Sequence, residues 1–176
     1  MNVLLKSILC IVLVLLINAC ADGYQTITER TIVLDRNKIK DDTLLKDNAQ
    51  NFYFSRLNKP GTFGIMFDYT LPEDAQNKEV YVIVKGQSRS NYAQSNALIV
   101  LVTHNKENEQ LSWMLMPMRY HYTSINEWCN FKDSIRLPAN FKGKTYSLIT
   151  VVAHQPISTA ENFDLKDMQI SIKAKL

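Results

Sequence analysis

Between Thr62 and Leu71 the chain alternates. Phe63, Ile65, Phe67, Tyr69 and Leu71 are large and apolar, and most residues between them are small or polar. A period of two marks a half-buried antiparallel strand, because successive side chains point to opposite faces of a sheet. Pro60-Gly61 before the run and Pro72-Glu73-Asp74 after it supply turn punctuation at both ends. Weaker runs of the same kind cover residues 27–34, 52–57, 80–85, 97–103, 111–116, 128–136, 145–153 and 165–173. No window of helical length shows apolar spacing at three and four, apart from a single turn expected around residues 43–48. Residues 80–85 and 97–102 are apolar on both faces, as central strands covered on each side would be.

Many short strands without intervening helices predict an all-β fold, an antiparallel two-sheet β-sandwich of jelly-roll type. The expected core includes Phe63, Ile65, Phe67, Tyr69, Val82, Val84, Val100, Ile149, Val151 and Ile170. Trp113, in phase with Leu111 and Leu115, and Trp128, at the start of a strand, are expected inside as well. Met114, Met116 and Met118 share one face and read as adaptable packing. Two polar connections, residues 86–96 and 119–127, are long enough to carry binding groups on such a scaffold.

Composition narrows the class. Of 176 residues 46% are hydrophobic and 21% charged, with five glycines and five prolines, as in one ordinary globular domain. Twenty basic against 17 acidic side chains give a net charge of +3. That even balance, with the basic residues scattered along the sequence, argues against a nucleic-acid partner.

The first residues carry an address. Lys6 precedes an apolar run from Ile8 to Ile17, a signal peptide too short for the ~20 residues of a membrane-spanning helix. Ile17-Asn18-Ala19-Cys20 resembles the bacterial lipobox, in which an aliphatic residue and a small one precede an obligatory Cys. The resemblance implies cleavage before Cys20 and acylation of its thiol, with two or three chains making a stable anchor. The expected organisation is a lipoprotein signal over residues 1–19, a lipidated tether over 20–25 and a β-sandwich over 26–176. The expected location is the bacterial cell envelope, lipid-anchored, in the outer membrane.

Little catalytic chemistry stands out. Cys10 leaves with the signal and Cys20 carries lipid, so Cys129 is left without a disulfide partner; its flanks match no catalytic-Cys signature, and a small buried thiol is expected. His104, His121 and His154 show no metal-ligand spacing. Ser95, Ser112 and Ser134 lie in no nucleophile-elbow pattern, and carboxylates such as Asp133, Glu161, Asp164 and Asp167 have no spacing that singles them out.

From Thr62 onward, several pieces in order carry a second resemblance. They are Phe67-Asp68-Tyr69-Thr70-Leu71-Pro72, then residues 80–86, Leu111-Ser112-Trp113, Glu127-Trp128-Cys129-Asn130-Phe131, Ile135-Arg136-Leu137-Pro138 and residues 163–170. Together they resemble the carbohydrate-binding-module type of galactose-binding-like jelly roll found in lipoproteins of the Bacteroidetes. The resemblance implies glycan binding. It also implies a structural calcium near the terminal strands, held in part by two adjacent acids on the closing strand. Here Lys166 stands at the first of those places and only Asp167 matches, so no cofactor is expected.

A sugar site needs exposed aromatic rings beside polar or charged side chains. Tyr120, His121 and Tyr122, preceded by Arg119, offer that mixture, and so does Tyr92 with Arg89, Asn91 and Gln94. If both connections lie at one end of the sandwich they can form one cleft. The expected function is therefore a non-catalytic envelope lipoprotein that binds glycan. A protein-interaction subunit of an envelope complex and a sandwich-fold glycan hydrolase or lyase stand as the alternatives.

Overall fold

The computed structural model describes residues 23–32, 34, 44–156 and 161–175. The expected signal peptide and Cys20 lie outside the described residues. Ten strands run in order: β1 (Tyr24–Thr31), β2 (Leu44–Asp47), β3 (Phe52–Leu57), β4 (Thr62–Thr70), β5 (Val80–Ser90), β6 (Leu98–His104), β7 (Gln110–Pro117), β8 (Cys129–Leu137), β9 (Leu148–Gln155) and β10 (Phe163–Lys175). They form the predicted all-β, two-sheet antiparallel sandwich. One sheet has the order β2-β3-β10-β5-β8, with β1 also paired to β10; the other has the order β4-β9-β6-β7. Among the described residues no helix is long and apolar enough to cross a membrane.

The core lies between the sheets. Val80, Val82 and Val84 of β5, Ile99 and Leu101 of β6, Ile149 and Val151 of β9, and Leu165, Ile170 and Ile172 of β10 are fully buried there. Each such side chain contributes roughly 1.5–3 kcal/mol relative to exposure. Cys129 is a buried free thiol. Met116 and Met118 are buried and Met114 packs against the same core.

The long strand β10 organises the larger sheet. One edge pairs with β5 along nearly its whole length; the other takes β3 at Phe163–Leu165 and β1 at Gln169–Lys175. A bulge between Lys166 and Gln169 separates the two halves, with Asp167 at φ 53. The bulge reverses the phase, so Phe163 and Leu165 point inward before it and Met168, Ile170 and Ile172 after it.

Bulges also explain where the structure departs from the sequence expectation. Phe63 pairs with His154 and Met66 with Val152, so β4 holds one residue more than its partner between these points. Phe63 therefore points outward and is 48% exposed, whereas Ile65, beyond the irregularity, is buried. Gly64 sits at this bend, where an added Cβ would lie 3.1 Å from the Leu57 side chain. In β7, Ser112 pairs with Thr103 and Gln110 with His104, leaving Leu111 as the extra residue. Trp113 consequently faces out, 44% exposed, although Leu111 is buried. Phe67 and Tyr69 point inward but are only partly buried, because β4 is an edge strand. Val100 is fully buried, but in a second cluster with Val102 and Val152 on the outer face of the smaller sheet.

Three boundaries move as well. Residues 44–47 form a short edge strand on β3 where a helical turn was expected. Tyr24 and Gln25, expected in the tether, already pair with Lys175 and Ala174. β5 continues to Ser90, so residues 86–90 are strand rather than loop. Small residues are required on that inner face: a Cβ on Gly86 would come within 3.1 Å of the Lys166 carbonyl oxygen and closer still to the Phe131 ring.

Candidate functional site

The outer face of the larger sheet carries an aromatic and cationic cluster. Alternation along β3 places Phe52, Phe54 and Arg56 on this face, since Ser55 and Leu57 point into the protein. On β10 the outward residues before the bulge are Asp164 and Lys166, and on β5 they are Gln87 and Arg89. Trp128 immediately precedes β8, where Cys129 and Phe131 face inward, so Trp128 lies outside the main core it was expected to join.

Register then makes the cluster. Asp164 stands directly opposite Arg56 on one side and Arg89 on the other. Its carboxylate is 2% exposed and accepts from both guanidiniums: Arg56 donates from Nε at 2.7 Å and Nη2 at 2.8 Å, Arg89 from Nε at 3.0 Å and Nη2 at 2.6 Å. The hydrogen bond it donates to Asp164 holds the Arg56 guanidinium above its ordinary pKa. Two cations share one anion, so the triad keeps one net positive charge.

Aromatic rings back these cations. The Arg89 guanidinium lies 4.7 Å from the Trp128 ring centroid and 5.5 Å from that of Phe54, which Arg56 also covers at 5.4 Å. The Lys166 ammonium sits 3.7 Å from the Phe52 centroid and 4.5 Å from that of Trp128. Phe52 and Phe54 meet Trp128 edge-on at 5.8 and 6.0 Å. Such contacts contribute ~0.5–2 kcal/mol each and hold long side chains in one geometry. Beside them the Gln87 side-chain amide donates to Asn130 at 3.0 Å. The result is a fixed set of two partly exposed rings, Phe52 and Trp128, over buried Phe54, with guanidinium and ammonium donors and amides beside them on an open sheet face.

Farther along the same face is a groove of about 230 Å³ lined by Thr26, Glu29, Ile83, Lys85, Lys132, Gln169, Ser171 and Lys173. A larger depression of about 450 Å³ lies elsewhere, bordered by Asn105, Lys106, Glu109 and Lys144. It contains no aromatic side chain, and its Lys144 ammonium already pairs with Glu109 at 2.5 Å.

The two predicted loops do meet at one end of the sandwich: Met118 N–H donates to Ala97, Asn126 N–H to Ser90, and Asn162 N–H to the Asn91 side chain. Beneath them the buried Glu161 carboxylate accepts from Ser90, Ser95 and the Asn96 backbone, tying the loops together. Tyr92 is 42% and Tyr120 71% exposed, with the Arg119 guanidinium over the Tyr120 ring at 4.9 Å. His121 packs against Phe131 and lies 3.7 Å from Asp133. Tyr122 turns inward instead; its hydroxyl is buried beside Ser88 and Ser95, and burial raises its pKa well above the ordinary value. Arg89, expected in the first loop, belongs to β5 and to the sheet-face cluster. Of the predicted binding residues, the structure therefore brings only Arg89 to this cluster.

Asp167 is exposed at the bulge beside Lys166, and among the described residues no group of three or more His, Cys, Asp or Glu side chains converges. His104 and His154 end β6 and β9, which run antiparallel, so they stand at opposite ends of the smaller sheet.

No protein-family model and no curated protein sequence matches this chain. Among solved structures, the VP2 subviral particle of infectious bursal disease virus is similar with a TM-score of 0.50 and 7% identity, over 86% of this chain and 33% of that one. This chain thus spans about a third of that protein. The C-terminal CBM6 of LamC from Zobellia galactanivorans aligns at a TM-score of 0.43 and 9% identity, covering 82% and 99% of the two chains. The xylan-binding module CBM15 aligns at 0.45 and 13%, covering 84% and 95%. At such identities the likeness is one of fold alone.

Proposed function

We propose that this protein is a lipid-anchored, non-catalytic envelope protein whose sandwich binds glycan on the outer face of the larger sheet. The observation that carries this reading is the partly exposed Phe52 and Trp128 pair, seated on buried Phe54 and interleaved with Arg56, Arg89, Lys166, Gln87 and Asn130. Sugars present C–H faces that stack on rings and hydroxyls that need fixed donors and acceptors, and both kinds of surface adjoin here. Anchoring rests on Ile17-Asn18-Ala19-Cys20. Tyr24 lies four Cα steps beyond Cys20, a reach of at most ~14 Å. Tyr24 pairs with Lys175, whereas the cluster surrounds Asp164, so ~35 Å of strand lies between them. A lipid on Cys20 therefore leaves the aromatic cluster at the end of the domain far from the bilayer.

The test is a glycan array with the full chain in detergent, followed by Trp128→Ala, Phe52→Ala and, at the loops, Tyr92→Ala and Tyr120→Ala. Binding lost in the first pair and kept in the second is expected, with thermal unfolding confirming that the variants fold. The reverse pattern would move the site to the loops, and released oligosaccharide would restore an enzyme.

A second reading, a protein-interaction subunit of an envelope complex, is favoured by the outer face of the smaller sheet. Phe63, Met66, Trp113 and Leu115 are each 44–57% exposed there, over Val100, Val102 and Val152. Apolar patches of this kind mark interaction surfaces on soluble domains.

A further inference from the structure

We propose that the glycan is anionic, a uronate- or sulfate-bearing polysaccharide that lies along a basic strip on the outer face of the larger sheet. This rests on the glycan reading and names its ligand class.

The strip begins at the aromatic cluster and follows β5 and β10 toward the groove. Arg56 and Arg89 hold a single buried Asp164 between them and keep a positive excess. Lys166 is held over two rings, with no carboxylate partner among the described residues. One step along the sheet, Gln169 pairs with Lys85, and Lys85 stands directly opposite Lys132. Like charges in directly opposed cross-strand positions destabilise a sheet, so this placement works against the fold taken by itself. Glu29 reaches Lys85 only at 4.0 Å, with both side chains about half exposed. Lys132 and Lys173, which complete the groove with Lys85, have no carboxylate partner among the described residues. The acids on the strip are few: Asp164 is already bonded to two arginines, Glu79 at the Tyr81 end is already bonded to Arg136 and Tyr24, and Glu29 and Asp167 are exposed at its margins.

The chain's overall charge is only +3, so composition does not force this concentration of lysines on one face. From Arg89 to Lys85 and on to Tyr81, the strip extends ~26 Å along β5, a run that several linked sugar rings can follow. An acidic ligand would supply the counter-charge that the Lys85–Lys132 pair lacks. The ring-backed guanidiniums, partly shielded from water, are suited to carboxylate or sulfate because their planar donors match two anionic oxygens.

The experiment compares the full chain in detergent binding polygalacturonate, its fully methyl-esterified form, dextran sulfate, neutral dextran and duplex DNA. Expected is at least about tenfold tighter binding to polygalacturonate or dextran sulfate than to its neutral counterpart, with the preference shrinking from about 0.05 to about 0.5 M salt as screening grows. Which anion binds tighter tells carboxylate from sulfate. The triple variant K85Q/K132Q/K173Q should lose at least about tenfold in affinity for the anionic polymer while melting no lower than the parent, because it removes a repulsion. Equal binding of charged and neutral polymers, or full affinity in the triple variant, overturns the anionic assignment and leaves glycan binding standing. No polysaccharide bound in any charge state overturns the glycan reading itself. Duplex DNA bound as tightly as the best polysaccharide makes the strip a general polyanion surface and rejects the glycan assignment.

Discussion

Asp164 fixes the conformation of the basic end of the open face. Its carboxylate takes four hydrogen bonds from Arg56 and Arg89, which are 29% and 24% exposed, and those arginines lie on Phe54 and Trp128. Removing it leaves two half-sheltered cations facing one another. Breaking a buried ion pair from one side costs roughly 3–5 kcal/mol, and the partial exposure of both arginines lowers this, so Asp164→Ala should destabilise by about 2–4 kcal/mol. Chemical denaturation checks it, with Glu73→Gln as the comparison. Glu73 meets Lys106 at 3.5 Å on the exposed surface, and losing that pair should change stability by no more than about 0.5 kcal/mol. An Asp164→Ala effect as small as the comparison would show that the triad adds no stability.

At the level of elements, three bulges decide which residues face where. Asp167 adopts φ 53 at the bulge of β10, a left-handed conformation that Asp tolerates and glycine adopts freely. Asp167→Gly should therefore leave stability unchanged or raise it by up to about 1 kcal/mol, whereas the β-branched Asp167→Val should lower it by more than about 1 kcal/mol. Equal thermal midpoints for the two variants would show that this backbone conformation carries no strain. The same bulges set the limit of what the sequence makes legible. Alternation locates every long strand, since a period of two survives on each side of a bulge. It does not reveal the extra residue at Gly64 or Leu111, because an inserted residue is set by pairing with a distant strand. Phe63 and Trp113 thus read as core and are surface. The sheet-face cluster was hidden for a related reason: Phe52, Phe54 and Arg56 show their common face in the sequence, but only register brings Asp164, Arg89 and Trp128 beside them. What pointed to Arg89 was its neighbourhood of polar residues, although the strand, not the loop, positions it.

Across the whole molecule the two sheets expose unlike outer faces, one basic and aromatic, the other apolar, while the space between them buries the hydroxyls of two tyrosines. Tyr146 is fully buried and Tyr122 packs against the same core. Burial raises the pKa of both phenols. In the unfolded chain both titrate near 10, the usual value for tyrosine. Above that pH the unfolded state releases protons that the folded state keeps, so it binds fewer protons and stability falls as pH rises. Below about pH 10 the phenols are neutral in both states and contribute no pH dependence. Each group adds up to ~1.4 kcal/mol of lost stability per pH unit in the alkaline range. The double variant Tyr122→Phe/Tyr146→Phe removes both ionisations. Its denaturation midpoint relative to the parent should be constant around pH 8 and rise increasingly above about pH 10. All other groups are common to both proteins, so the difference between the two curves isolates the phenols. Parallel curves from about pH 8 to 11 would show that these tyrosines ionise as readily in the folded protein as in the unfolded chain.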